Sequence, residues 1–188
     1  LSNFLASEVE DVIRVAKANG FVVPTVYQGN YSAIARRQEE ELFPTLRKHG
    51  ISFNAYSPLG GGFLTKTAKD IEEGAGRFKP DTPLGKLYST LYSKPLFLAA
   101  LKKWEDISAK SGLPKAELAY RWVSYHSSLK SELGDGIIIG ARTLDQLRKT
   151  LTGLKSGPLP DEVVKDINGI WDTIKGEAGL DNFNLNDV

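Results

Sequence analysis

ISFNAYSPLGGGFLT, residues 51–65, runs from an apolar stretch into an aromatic residue, a serine, a proline and three consecutive glycines. ISFNAY (residues 51–56) reads as a strand, so the glycines fall in the loop at its C-terminal end. Gly60, Gly61 and Gly62 remove side chains from that loop and let backbone amides approach an anion closely. Ser57 adds a hydroxyl donor and Pro58 fixes one dihedral. Tyr56 offers a flat ring that can stack on a planar ligand. A ring joined to a phosphate, as in a dinucleotide, suits this order. The chain has no Walker sequence and no GxGxxG followed by the expected acidic residue.

The flanks repeat a unit. Upstream, Ser7 and Glu10 have capping-box spacing, and Val9, Val12, Ile13 and Ala16 share one helix face that Asn19 and Gly20 end. FVVPTVY (residues 21–27) reads as a buried strand, with Pro24 placed awkwardly in it. A helix is predicted over residues 37–49, with Leu42, Phe43 and Leu46 inward, Gly50 as its stop, and a kink or later start at Pro44. Helix, strand, helix, strand at this spacing is the pattern of βα units.

Downstream, residues 66–94 are dense in glycine, proline and charge and read as a long excursion, either a lid or substrate loop or a surface insertion. Residues 96–110 are amphipathic through Leu98, Leu101, Trp104 and Ile107. Pro114 suits the first position of the next helix, where Ala116, Ala119, Tyr120 and Val123 share a face. GIII (residues 136–139) is a third strand candidate. Thr143 and Gln146 form another capping-box pair, and Leu144, Leu147 and Leu151 are the expected inner face of that helix. A last helix over residues 162–175 carries Val163, Ile167, Ile170, Trp171 and Ile174, and the polar tail is expected to fray or fold over a neighbour. Three strands, each leading into a loop and a helix, suggest part of a (β/α) barrel, with an open α/β layer as the alternative.

Composition narrows the partners. Of 188 residues, 41% are hydrophobic and 25% charged, and 24 basic residues against 23 acidic ones give a formal charge of +1. That balance gives no reason to expect nucleic acid. Cysteine is absent, which excludes thiol chemistry and fits a cytoplasmic protein. No apolar run approaches the ~20 residues of a membrane span. No metal-ligand cluster is visible, and His49 and His126 sit near helix ends, where a histidine answers the helix dipole or faces solvent. Tyr27 and Tyr31 flank Gln28 without a lysine partner.

Barrel sites lie at the C-terminal ends of strands. Gln28 there can bond a ligand amide or a neighbouring backbone group. Gly140 permits a close approach, and Arg142, just before a capped helix, is either a phosphate ligand or a solvated charge.

LSNF (residues 1–4), PTVYQGNYSAIARRQEEELFP (24–44), AYSPLGGGFLT (55–65), AGRF (75–78), LAYRWVSYHSSL (118–129) and GDGIIIGARTLDQLRKTL (134–151) together resemble the C-terminal part of an aldo-keto reductase, closest to the aflatoxin-aldehyde reductase branch. The resemblance covers nearly the whole chain. It implies an α/β fold: a partial (β/α)8 TIM barrel running from the end of strand 5 through strand 8, with two extra helices, as a single domain over residues 1–188. It implies NADPH/NADP+ as cofactor and reduction of aldehydes and ketones by hydride transfer in the complete parent protein. Ser2, Asn3 and Gln28 would hold the nicotinamide carboxamide, and Tyr56 would stack on its ring. Ser57, Leu59 and Gly61 would wrap the pyrophosphate. Residues 140–146 would surround the adenosine end, with Gly140 and Gln146 beside it and Arg142 on the 2′-phosphate. Lys149 and Thr150 depart from the residues usual near the adenine.

The resemblance also implies that residues 66–94 are the substrate loop. Residues 86–95 lack the arginines that suit acidic aldehydes in the mammalian relatives, and Lys94 is a poor replacement. Aromatic or dicarbonyl substrates are therefore expected. The family's catalytic aspartate, tyrosine, lysine and histidine have no counterpart here, so no catalytic residue is assigned. The chain alone is expected to have little or no reductase activity. It is expected to be a fragment, with self-association or pairing with the missing N-terminal half as its partner relationships. A catalytically silent half-barrel that binds a nucleotide or a protein is the alternative.

Overall fold

The computed structural model describes residues 1–184. In chain order the first elements are α1 (Ala6–Asn19), β1 (Val26–Asn30), α2 (Gln38–Glu41), α3 (Phe43–Lys48) and β2 (Ser52–Tyr56). A long helical passage follows: α4 (Ala68–Glu72), α5 (Pro83–Tyr92), α6 (Pro95–Ser111) and α7 (Lys115–Tyr125). The described chain ends with β3 (Gly136–Ile137), α8 (Leu144–Leu154), α9 (Asp161–Ile174) and the tail.

The fold is α/β with a parallel sheet. Among the described residues, β1, β2 and β3 lie side by side in sequence order, all parallel. Tyr27 stands opposite Phe53, and Asn54 opposite Gly136. Ser2 extends the order by a parallel bridge to Gln28, whose amide donates to the Leu1 carbonyl at 2.8 Å. Side chains alternate along β2: Phe53 and Ala55 are buried, while Ser52, Asn54 and Tyr56 are half-buried on the other face. The Phe53 side carries the core. Its ring meets Tyr27 at 5.8 Å and Phe43 at 4.8 Å between centroids. Further out, α6 packs on α9 through faces that bury Leu101 and Trp104 on one helix and Ile167 and Ile170 on the other.

Several boundaries differ from the sequence reading. α1 begins before Ser7: its N-cap is Leu5, whose amide donates to the Glu8 carboxylate at 2.7 Å, so Glu8 rather than the Ser7–Glu10 pair closes the first turn. Pro24 has no amide to pair, and β1 starts only at Val26, leaving Phe21 exposed and Val22 94% exposed. The helix over residues 37–49 is two helices broken at Leu42, and the second has Pro44 in its first turn, as the expected kink or later start there requires. Pro114 caps α7 rather than occupying its first turn.

Residues 66–94 are largely helical. Thr67 Oγ1 accepts the Asp70 amide to start α4, and Thr82 Oγ1 accepts the Gly85 amide to start α5. Phe78, Tyr88, Leu91 and Tyr92 are buried there. β3 is two residues long, and Ile138 beyond it is exposed. The expected inner face of α8 is open: Leu144 is 71% and Leu151 45% exposed, and of this helix only Gly153 is buried. The tail folds inward, burying Ala178, Leu180, Asp181 and Asn182; its residues 185–188 lie outside the described part.

Candidate functional site

The loops that leave the strands surround a cleft of about 760 Å³. Ser2 and Asn3 reach it from the first parallel segment and Gln28 from β1. Tyr56, Ser57, Leu59 and Gly61 reach it from the end of β2. Gly140, Arg142 and Gln146 reach it from the passage between β3 and α8. The structure thus brings all ten residues nominated from the sequence to one cavity.

The backbone there is constrained. Asn3 (φ 59°) and Ser57 (φ 55°) are the non-glycine residues with left-handed backbone among the described residues, and both line the cleft. Asparagine tolerates this region; serine adopts it at a cost that surrounding contacts must offset. Tyr56 bonds to Asn3 through its hydroxyl, at 3.0 Å. Burial pushes the Tyr56 phenol well above its ordinary range, with Asp181 adding to the effect. Ser57 Oγ lies 3.4 Å from the Tyr88 hydroxyl.

Two glycines have different reasons. At Gly61 (φ 66°) a Cβ would lie 2.1 Å from Tyr88 Cε1. The space that Gly61 opens is filled by the Tyr88 ring, so its missing side chain serves packing, although its backbone lines the cleft. At Gly140 a Cβ would meet nothing within 4 Å. No contact of the described fold demands glycine there, and the space stays open to a ligand.

The start of α8 is capped on one side as expected, with Thr143 Oγ1 accepting the Gln146 amide at 3.2 Å. The reciprocal half is shifted by one residue: Gln146 Oε1 accepts the Arg142 amide at 2.9 Å. The Arg142 guanidinium is exposed, lines the cleft, and has no hydrogen-bond or ion-pair partner among the described residues. An unpaired guanidinium beside a helix N-terminus suits an anion.

Sequence reasoning missed part of the lining. Arg77, from AGRF, donates to the Tyr88 hydroxyl at 3.3 Å, and Leu84, Leu87 and Tyr88 come with it. Asn182 and Phe183 arrive from the tail. Side chains far away in sequence hold that tail by its carbonyls. Lys94 Nζ donates to Glu177 at 2.6 Å, Arg37 to Ala178 at 3.2 Å and Gln38 to Leu180 at 3.5 Å. Lys94 is therefore tied to backbone rather than placed in the cleft. The AGRF match could have flagged Arg77; nothing periodic flagged the tail.

The remaining polar groups are structural. Tyr27 donates to the Phe4 carbonyl at 2.8 Å and accepts the Phe4 amide at 3.0 Å, and burial pushes its phenol up to about 12. Tyr31 donates to Glu39. His49 faces Glu10 at 2.9 Å, and His126 Nε2 accepts the Leu159 amide at 2.8 Å. Among the described residues no cluster of metal-ligating side chains forms, and no helix is long and apolar enough to cross a membrane.

Residues 1–172 match the Aldo/keto reductase family. The chain is 39% identical over 178 residues to "Oxidoreductase sirO" of Leptosphaeria maculans, covering 95% of this chain and 54% of that protein. It is 38% identical over 179 residues to "Aflatoxin B1 aldehyde reductase member 4" of Homo sapiens, covering 91% and 54%. It is 35% identical over 185 residues to "Aflatoxin B1 aldehyde reductase member 2" of Homo sapiens, covering 95% and 52%. The chain spans about half the length of the curated relatives it matches.

Proposed function

The chain belongs to the aldo/keto reductase family, and from that premise we propose that its cleft binds NADPH and forms the cofactor side of a site that reduces aldehydes or ketones to alcohols. The observation that carries this reading is the meeting of Asn3, Gln28, Tyr56, Gly140 and Arg142, from four successive parallel segments, in one cleft. In this reading the four segments are the last four strands of a (β/α)8 barrel, and residues 66–94 form the wall on the substrate side.

The residues present fit such a cofactor. The cavity lies within the range of about 300–1,000 Å³ that holds small ligands. Gly140 leaves room for close backbone approach, and Arg142 offers an unsatisfied guanidinium for a 2′-phosphate. Ser2, Asn3 and Gln28 surround the place for a carboxamide, and the Tyr56 ring is a stacking platform fixed by Asn3. When bound, NADPH supplies the hydride.

Reduction leaves negative charge on the carbonyl oxygen, which needs a proton or oxyanion donors. The Tyr56 hydroxyl already donates to Asn3 and is held well above its ordinary range, so it is no proton source. Tyr27 is occupied in the same way. We therefore assign the cleft residues to binding and orientation, and the chain alone is expected to have little or no reductase activity. The groups that complete the chemistry come from the other half of a family barrel, docked against these strands. The exposed Leu144 and Leu151 of α8 favour such docking and equally support a second reading, a catalytically silent nucleotide-binding or protein-interaction domain.

NADPH binding to this chain, followed by fluorescence with NADH as control, tests the proposal. NADPH bound tightly and in preference to NADH supports it. Equal binding of the two nucleotides refutes the assignment of Arg142 to the 2′-phosphate, and absence of binding refutes the cleft as a site that this chain forms alone.

A further inference from the structure

A hydrogen-bonding side chain is enclosed at the cleft without a protein partner. Asn182 lines the cavity and is 7% exposed, and its Oδ1 has no hydrogen-bond partner among the described residues. Buried carboxamides are normally satisfied, so an unpaired one in the wall of a cavity points to a ligand group.

The position is built. Asp181 is buried, and its Oδ1 accepts the amides of Phe183 at 2.6 Å and Asn184 at 2.8 Å. Its Oδ2 accepts from Asn184 Nδ2 at 2.6 Å. These bonds fold the tail into a tight turn that brings Asn182 and Phe183 to the cleft. Lys94 and Gln38 hold the segment just before it. Phe183 is 69% exposed, and Leu84 and Leu87 on α5 line the same cavity.

We propose that Asn182 is a specificity-determining residue: its carboxamide hydrogen-bonds a hydroxyl group on an aromatic carbonyl substrate whose ring packs against Phe183 and Leu84. This rests on the carbonyl-reductase reading of the cleft. A half-turn about the terminal bond of Asn182 exchanges its oxygen and nitrogen at little steric change, and a hydroxyl, which both donates and accepts, satisfies either end. The apolar neighbours select a flat apolar body.

The test compares 3-hydroxybenzaldehyde with 3-methylbenzaldehyde, nearly equal in shape, binding to the protein with NADP+ present, by ligand-observed NMR. The hydroxyl compound is expected to bind roughly tenfold more tightly, the worth of one hydrogen bond. Asn182→Leu should abolish that preference and leave NADPH affinity unchanged, and Asn182→Asp, which still accepts from a hydroxyl, should retain part of it. Equal binding of the two aldehydes to the parent protein, or binding of neither, overturns the proposal without any variant having to fold. A preference surviving in a folded Asn182→Leu protein overturns it too, and a fall in NADPH affinity there would assign Asn182 to the cofactor instead. Hydroxyl preference without NADPH binding would refute the cofactor reading and leave the role of Asn182 standing.

Discussion

The hydroxyl of Tyr56 donates a 3.0 Å hydrogen bond to Oδ1 of Asn3, although β1 lies between β2 and the segment that carries Asn3. The bond spans the inner mouth of the sheet and ties a stacking ring to a residue with left-handed backbone (φ 59°). Tyr56→Phe keeps the ring and frees it to tilt. NADPH affinity is expected to fall roughly fivefold, about 1 kcal/mol. Tyr56→Ala removes the stacking surface and should lower affinity more than about tenfold. Fluorescence titration measures both, and a Tyr56→Ala protein binding like the parent would remove Tyr56 from the site.

The two cleft glycines separate packing from binding. Gly61→Ala puts a methyl into the Tyr88 ring at a positive φ, and a loss of at least about 2 kcal/mol in unfolding free energy is expected. Gly140→Ala meets nothing in the protein, so stability should stay within about 0.5 kcal/mol. Its methyl would still occupy space that a bound nucleotide uses, so NADPH affinity should drop. Denaturant unfolding and titration on both variants give four numbers. A Gly140→Ala protein that binds NADPH normally would show that the open space is unused.

The end of β2 at Tyr56 was legible because a short apolar run followed by Ser-Pro and glycines leaves few alternatives; the other two ends shift, since Gln28 lies in the middle of β1, which runs on to Asn30, and β3 stops at Ile137, short of Gly140. What covers an apolar face was not legible. Leu144, Leu147 and Leu151 recur at helical spacing, which fixes their shared side but not a neighbour for it. Residues 66–94 looked like a loop because three glycines and two prolines interrupt them, yet Thr67 and Thr82 start helices there through side-chain caps. Asn182 was invisible because the tail is shaped by bonds to the Asp181 carboxylate, which leave no periodic signal.

His126 makes stability depend on pH. Its Nε2 accepts the Leu159 amide, and burial together with the nearby Arg121 charge lowers its pKa from the ordinary 6.5. Between the folded value and 6.5 the unfolded chain binds more protons, so stability rises with pH. The contribution is complete above about 6.5 and is lost as pH falls through the folded value. The melting temperature of the parent should therefore decline below that point. His126→Gln, whose oxygen can accept the same amide at any pH, should flatten that part of the profile. An unchanged profile in His126→Gln would assign the decline to other groups.

Asp135 joins β2 to the turn before β3. Its enclosed carboxylate accepts from Arg47 at 2.9 and 2.6 Å, from the Phe53 amide at 2.8 Å and from the Lys130 amide at 2.7 Å. Asp135→Asn keeps the shape but turns one acceptor into a donor and leaves Arg47 without its counter-charge. A loss of about 3 kcal/mol is expected from urea unfolding. A loss below about 1 kcal/mol would mean that solvent reaches the pair freely.

α8 offers the last prediction. Leu144 and Leu151 expose apolar surface on α8, and β3, the outermost strand among the described residues, leads into the exposed Ile138. Such a combination of open edge and apolar face favours docking against another polypeptide. Because both leucines are already exposed, Leu144→Gln with Leu151→Gln should change unfolding free energy by no more than about 0.5 kcal/mol. Light scattering over a concentration series should show the parent associating and the double variant shifted toward the monomer. A parent that stays monomeric at every concentration excludes the second copy as partner and leaves the other half of a family barrel as the surface this face fits. Equal association of parent and variant would place the contact on a different face.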